Sequence, residues 1–223
     1  MSDDFGPPPR YGTAPTPGAA HRLAAFEKLA GELGLRLMPW QRGTIRVGTE
    51  YDEATGVPFY REMVVAVPRQ SGKSSLALIW ALERCLLRGK PQTVIYTAQT
   101  GHDARKKFQN DFVPIIEGSR LGSAVKRISR AAGFEAVEFR NGSRFEVQPT
   151  TPGAGHGRTV DLGIIDEAWA DQDERRELTL VPAMAARADA QLLVLSTAGS
   201  ESSMYWRRKV DQGRAAVKRQ KDR

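Results

Sequence analysis

The sequence predicts an α/β fold, a mainly parallel central sheet flanked by helices and carrying an inserted β-hairpin. Three observations lead there. Four short apolar runs, Met63–Val67, Thr93–Tyr96, Leu162–Ile165 and Leu192–Leu195, are near-continuous, the mark of strands covered on both faces. The first runs into Val67-Pro68-Arg69-Gln70-Ser71-Gly72-Lys73-Ser74 and then into Leu76, Ile79, Trp80, Leu86 and Leu87 at helical spacing, which reads as strand, tight loop, helix. Before the third run, Val137–Val147 alternates around Asn141-Gly142, the strongest short hairpin signal.

The other elements come in chain order. Residues 1–20 hold Pro7, Pro8, Pro9, Pro15 and Pro17 among Gly, Thr and Ala and are expected to be disordered. Leu23, Phe26, Leu29, Ala30 and Leu33 repeat at helical spacing up to Gly34, and Pro39-Trp40-Gln41 opens a second helix with proline in its first turn. Thr55-Gly56, between Tyr51 and Phe59-Tyr60, reads as the turn of a hairpin leading into the first core strand. The expected organisation is a disordered segment 1–20, one domain over 21–200 and a basic helix or linker over 201–223.

With 223 residues, 40% of them hydrophobic, the chain can bury the core of one domain. Its net charge is +7, and the last 23 residues hold eight Lys/Arg against three acids. Such a run is more often a solvated helix than a nucleic-acid surface, so DNA contact there is one option of two. The single cysteine, Cys85, falls in the apolar helix and reads as core, which fits a reducing compartment. No segment resembles a signal peptide, and no run reaches the roughly 18 apolar residues that cross a bilayer. Three histidines and one cysteine offer no metal-ligand cluster.

The loop carries the chemistry. Backbone N–H groups of a Gly-rich turn and of a helix N-terminus converge on an anion, and the helix dipole favours negative charge there. Lys73 would reach the β- and γ-phosphates of a nucleoside triphosphate and the Ser74 hydroxyl would ligate Mg²⁺. The whole phosphate-binding set is Arg69, Gln70, Ser71, Gly72, Lys73, Ser74 and Ser75. The usual pattern opens with a glycine where this chain has Val67. Leu162–Ile165 ends in Asp166-Glu167. At the carboxyl edge of a parallel sheet, Asp166 would hold the Mg²⁺ and Glu167 would orient and deprotonate the attacking water. The competing reading is a pair of acids at the start of a helix beginning at Ala168-Trp169. Leu192–Leu195 ends in Ser196-Thr197, hydroxyls that could sense a γ-phosphate or merely cap a helix. Arg69, and Arg158 in the loop Gly153–Arg158, are candidates for neutralising transition-state charge, the second on a neighbouring subunit's nucleotide. Trp40 and Gln41 could stack on and hydrogen-bond an adenine, or belong to the core.

Together these pieces resemble the ATPase domain of tailed-bacteriophage terminase large subunits, from Pro39 to Gly199. Pro39-Trp40-Gln41 is similar to the family's adenine motif. Pro68–Ser74 resembles its deviant phosphate loop, in which Arg-Gln precedes Gly-Lys and the first glycine is missing. Ile164-Ile165-Asp166-Glu167-Ala168 resembles the second nucleotide motif, with Glu167 catalytic, and Ser196-Thr197-Ala198-Gly199 the coupling motif. The resemblance implies a P-loop NTPase of the RecA-like, additional-strand glutamate class. It would be an ATP- and Mg²⁺-dependent motor translocating double-stranded viral DNA into a procapsid in the host cytoplasm. The implied partners are portal protein, small terminase subunit and copies of itself in a ring, with a monomer in isolation and no membrane. Nothing after Gly199 could hold the family's nuclease domain, so the expected product is the motor half without DNA cleavage. A helicase-like translocase and a non-hydrolysing nucleotide-binding assembly protein are the alternatives. Turnover with and without Glu167 separates these readings.

Overall fold

The computed structural model describes residues 5–148 and 159–221. Helix α1, Leu23–Glu32, turns Leu23, Phe26, Leu29 and Ala30 inward. Helix α2, Pro39–Gly48, starts on its proline, and the Gln41 side chain reaches back to the Met38 N–H at 2.8 Å, closing the first turn. Strand β1, Glu62–Ala66, leads into the loop and helix α3, Lys73–Leu86. Apart from its first turn α3 is buried almost all round, because α1 covers the side that the sheet does not: Phe26 meets Trp80 edge-on, centroids 5.1 Å apart. Cys85 lies in this core, as its sequence context predicts.

Strand β2, Thr93–Thr97, is followed by helix α4, Gly101–Lys107, whose Thr100 cap accepts the Asp103 N–H. A π-helical turn, Phe108–Phe112, joins α4 to helix α5, Val113–Glu117. Its two phenylalanines both point inward, Phe108 onto Phe145 and Phe112 onto Tyr96 at 5.7 and 5.1 Å. Strands β3 (Val125–Ser129), β4 (Ala136–Phe139) and β5 (Arg144–Val147) precede β6, Leu162–Ile165. Helix α6 (Arg175–Met184), strand β7 (Gln191–Ser196) and helix α7 (Met204–Lys221) complete the chain.

The sheet has seven strands in the order β1-β7-β6-β2-β5-β4-β3. From β1 through β5 neighbouring strands run parallel; β4 and β3 are antiparallel. The hairpin around Asn141-Gly142 is therefore continuous with the central sheet. Its second strand, β5, pairs parallel with β2, and β3, which the sequence reading missed, forms the edge. Val125–Ser129 escapes notice because Lys126 and Arg127 interrupt its apolar pattern and face solvent. Strand β7 stands between β1 and β6, the added strand of the expected class.

Residues 5–20, predicted to be disordered, form no helix or strand but are held at several points. Phe5 packs beside α2 under the Arg42 guanidinium, 5.5 Å from the ring centroid. Ala14 exchanges two hydrogen bonds with the Gln220 amide on α7, Thr16 N–H donates to Glu50, and Ala20 bridges Tyr51. Proline lowers the entropy lost on ordering such a segment, and Phe5 gains an apolar seat. The Thr55-Gly56 turn is present, with Tyr51 facing Pro58. Part of the basic charge of α7 is paired internally: Arg208 with Glu174, and Lys209 with both Glu62 and Glu177, each at 2.7 Å.

Candidate active site

The parallel register brings the sequence motifs to one edge. Ala66 faces Ser196 across β1 and β7, and the Val67 N–H donates to the Ser196 carbonyl at 3.1 Å. One strand further, Ile165 faces Val194, so Asp166 and Glu167 leave the sheet beside Ser196. The carboxyl ends of β1, β7 and β6 are thus contiguous, where ligands of open α/β sheets bind.

In the loop, Gly72 is left-handed (φ 81°) at the start of α3, and a Cβ there would lie 2.9 Å from Gln41 Nε2. Glycine is required on both counts. Gln70 is also left-handed, φ 58°, an uncommon backbone for a non-glycine residue and one that clusters at ligand sites. The buried Lys73 ammonium lies across the loop and donates to the Pro68 carbonyl at 3.2 Å. Ser74 and Ser75 are half-buried in the first turn of α3. Trp40 Nε1 donates to the Ser71 carbonyl at 3.0 Å. Gln41 Nε2 donates to the Gly72 carbonyl at 2.8 Å and to Ser75 Oγ at 3.2 Å. Both amide hydrogens of the buried Gln41 are therefore committed to the chain. In this structure Trp40 and Gln41 brace the loop through its Ser71 and Gly72 carbonyls, and Pro39 opens the helix that carries them.

Asp166 is 2% exposed, accepts the Tyr96 hydroxyl at 2.8 Å and the Glu167 N–H at 2.9 Å. Burial pushes its carboxyl above the ordinary range, with the Tyr96 hydrogen bond pulling the other way. Among the described residues no cation pairs with this carboxylate; the nearby Arg176 donates to the Asp166 carbonyl at 2.8 Å and forks onto Asp171. A buried carboxylate without an ion-pair partner among the described residues is a hard-oxygen donor that suits Mg²⁺. Glu167 is left-handed, φ 53°, and half-buried. It caps a single 3₁₀ turn, Ala168–Ala170, and the next α-helix, α6, starts at Arg175. Ser196 and Thr197 are buried. The exposed Arg69 guanidinium sits 5.9 Å from the Trp169 ring centroid, facing the acid strand. Arg158 and the loop that carries it lie outside the described residues.

Tyr96, Arg176 and Trp169 are the site residues that sequence reasoning missed. Tyr96 reads as one more apolar strand residue, although a phenol in a buried run must find a partner. Trp169 gave a signal too, an indole N–H two residues from the acid pair.

The fold and the site define a P-loop ATPase core. The family model of the terminase large subunit ATPase domain matches residues 39–212, and the chain belongs to that family. The large terminase of bacteriophage HK97 superposes with a TM-score of 0.73 at 18% identity, over 88% of this chain and 42% of that one. The large terminase ATPase domain of Thermus phage P74-26 gives 0.61 at 21% identity, over 79% and 71%. S. cerevisiae Dbp5, bound to RNA and ADP BeF3, gives 0.52 at 14% identity, over 86% and 48%. At such identities these likenesses show the fold. The chain spans under half the length of the HK97 protein. No curated protein matches it by sequence.

Proposed function

We propose that this chain is the ATP-hydrolysing motor domain of a phage terminase large subunit. The convergence of the phosphate loop, Asp166-Glu167 and Ser196 at one sheet edge supports the reading more than any other observation. Loop amides and Lys73 bind the phosphates, and Arg69, Gln70 and Ser71 shape the loop's rim. Ser74 and Asp166 hold Mg²⁺, which when bound neutralises charge on the β- and γ-phosphates. Glu167 orients the water and accepts its proton. Ser196 and Thr197, beside both motifs, report the state of the γ-phosphate to the segment between β7 and α7. Arg69 and Arg158 are the candidates for countering transition-state charge, Arg158 in a neighbouring subunit.

The proposed cargo is double-stranded DNA moved into a procapsid in the host cytoplasm. The motor would work as a ring on the portal with the small terminase subunit, and Lys and Arg of α7 and the loops would contact the DNA phosphates. No helix among the described residues is long and apolar enough to cross a membrane. These 223 residues alone are expected to hydrolyse ATP without cutting DNA. The deciding experiment compares Mg²⁺-ATP turnover and nucleotide binding in the wild type, Lys73→Ala and Glu167→Gln. Lys73→Ala should lose binding; Glu167→Gln should keep binding and lose roughly a hundred-fold or more in rate. Wild-type turnover in Glu167→Gln would refute the base, and absence of turnover in all three proteins with DNA present would refute the motor.

A further inference from the structure

One side chain joins three parts of the site that the motifs leave separate. The Trp169 indole N–H donates to Glu167 Oε2 at 2.6 Å, and its backbone N–H donates to Ser196 Oγ at 2.9 Å. The Arg69 guanidinium lies over its ring at 5.9 Å. Trp169 thus touches the loop after β1, the acid after β6 and the hydroxyl at the end of β7. It sits in the short 3₁₀ turn directly behind Glu167, so its own backbone is fixed by the strand it touches.

From this geometry we infer that Trp169 is a positioning residue for Glu167. The inference rests on the reading of Glu167 as general base. A glutamate carboxylate turns freely about its last torsion, whose profile is broad. An attacking water needs one defined oxygen, aimed at it and free of other donors. The indole N–H, in a short charge-assisted hydrogen bond, takes Oε2 and leaves Oε1 to the water. The left-handed backbone of Glu167 and its N–H bond to Asp166 fix the base of the side chain; Trp169 fixes its tip. Because the Trp169 backbone is tied to Ser196, a shift at the end of β7 moves the indole and with it the carboxylate.

Two substitutions divide the ring from its N–H. Trp169→Phe keeps an aromatic ring beside Arg69 and removes the donor. Trp169→His keeps an N–H where the five-membered ring of the indole carries it and removes the outer ring. In steady-state Mg²⁺-ATP turnover, Trp169→Phe should lower kcat about ten- to a hundred-fold, the loss expected of a misplaced catalytic group, with KM nearly unchanged; Trp169→His should recover much of it. The contact is also read without turnover. In ¹⁵N spectra the chain has four tryptophan indole resonances, and the one missing in Trp169→Phe should move when Glu167 becomes the neutral Glu167→Gln. A stationary resonance, a wild-type kcat in Trp169→Phe, or a Trp169→His protein as slow as Trp169→Phe would each overturn the proposal. Lost turnover in Glu167→Gln beside normal turnover in Trp169→Phe overturns this inference alone. Normal turnover in Glu167→Gln overturns the base assignment and the inference with it. Should Trp169→Phe fail to fold, ¹⁵N labelling of tryptophan by position identifies the resonance, and the shift in Glu167→Gln decides.

Discussion

Replacing Gln41 by alanine separates two roles that the sequence could not distinguish. In the structure the amide makes three hydrogen bonds: to the Gly72 carbonyl, to Ser75 Oγ and from the Met38 N–H. At about 1 kcal/mol each, their loss amounts to ~3 kcal/mol. The Gly72 carbonyl keeps two other donors, Ser75 Oγ and the Leu76 N–H, so no orphaned acceptor adds to the sum. If the loop keeps its shape, the loss appears in global stability; if it loosens in the folded state, it appears as up to about 100-fold weaker phosphate binding. Urea unfolding together with titration of ATP and of inorganic tripolyphosphate reads both. A buttress predicts that the two ligands weaken by the same factor. A Gln41→Ala protein with intact stability and intact tripolyphosphate binding, but weakened ATP binding, would refute the buttress and restore an adenine contact.

The packing leads to two further outcomes. Asp166→Asn should abolish turnover while leaving the protein as stable as the wild type or more so at neutral pH. Burial raises the folded carboxyl's pKa, so the stability tied to its protonated form is present at low pH and lost as pH rises through that raised value. Asparagine mimics the protonated form, and the Tyr96 hydroxyl can turn to accept from it, so the melting difference should widen upward from the ordinary carboxylate range and vanish below it. A wild type that stays the more stable protein at pH 7 would contradict this. Gly48→Ala places a methyl 2.6 Å from Met63 Sδ and 2.8 Å from the Trp80 ring. Overpacking of that kind costs about 1–3 kcal/mol in chemical denaturation, and an unchanged unfolding midpoint would show that α2 can shift outward freely.

The parts of the fold legible in the sequence are those that local pattern encodes. Strands β1, β2, β6 and β7 lie inside the sheet or lead into its phosphate loop, so their apolar composition alone reports them, and the loop announces itself between strand and helix. Glycine at 72 was needed for a backbone reason that one residue can carry. The contacts that complete the site are not local. Tyr96 reaches Asp166 across seventy positions, and Gln41 reaches Gly72 across thirty-one; no periodicity records a meeting between elements. Strand β5 looked like the arm of a separate hairpin because alternation describes the pair β4–β5 and says nothing of β2 on its other side. The contacts of residues 5–20 were hidden for the same reason: their composition shows a lack of core, and only the partners, Gln220, Glu50 and Arg42, show where they lie.

Residues 5–14 link two helices from opposite ends of the sequence. This segment touches α2 at Phe5 and α7 through Ala14 and Gln220, and its ten residues from 5 to 14 can reach about 35 Å at most. Of these two helices, α2 is the element whose Trp40 and Gln41 bond the loop carbonyls of Ser71 and Gly72. The last helix is therefore joined to the rest of the molecule in two ways, through the Lys209–Glu62 pair at the start of β1 and through this outer segment that ends beside α2.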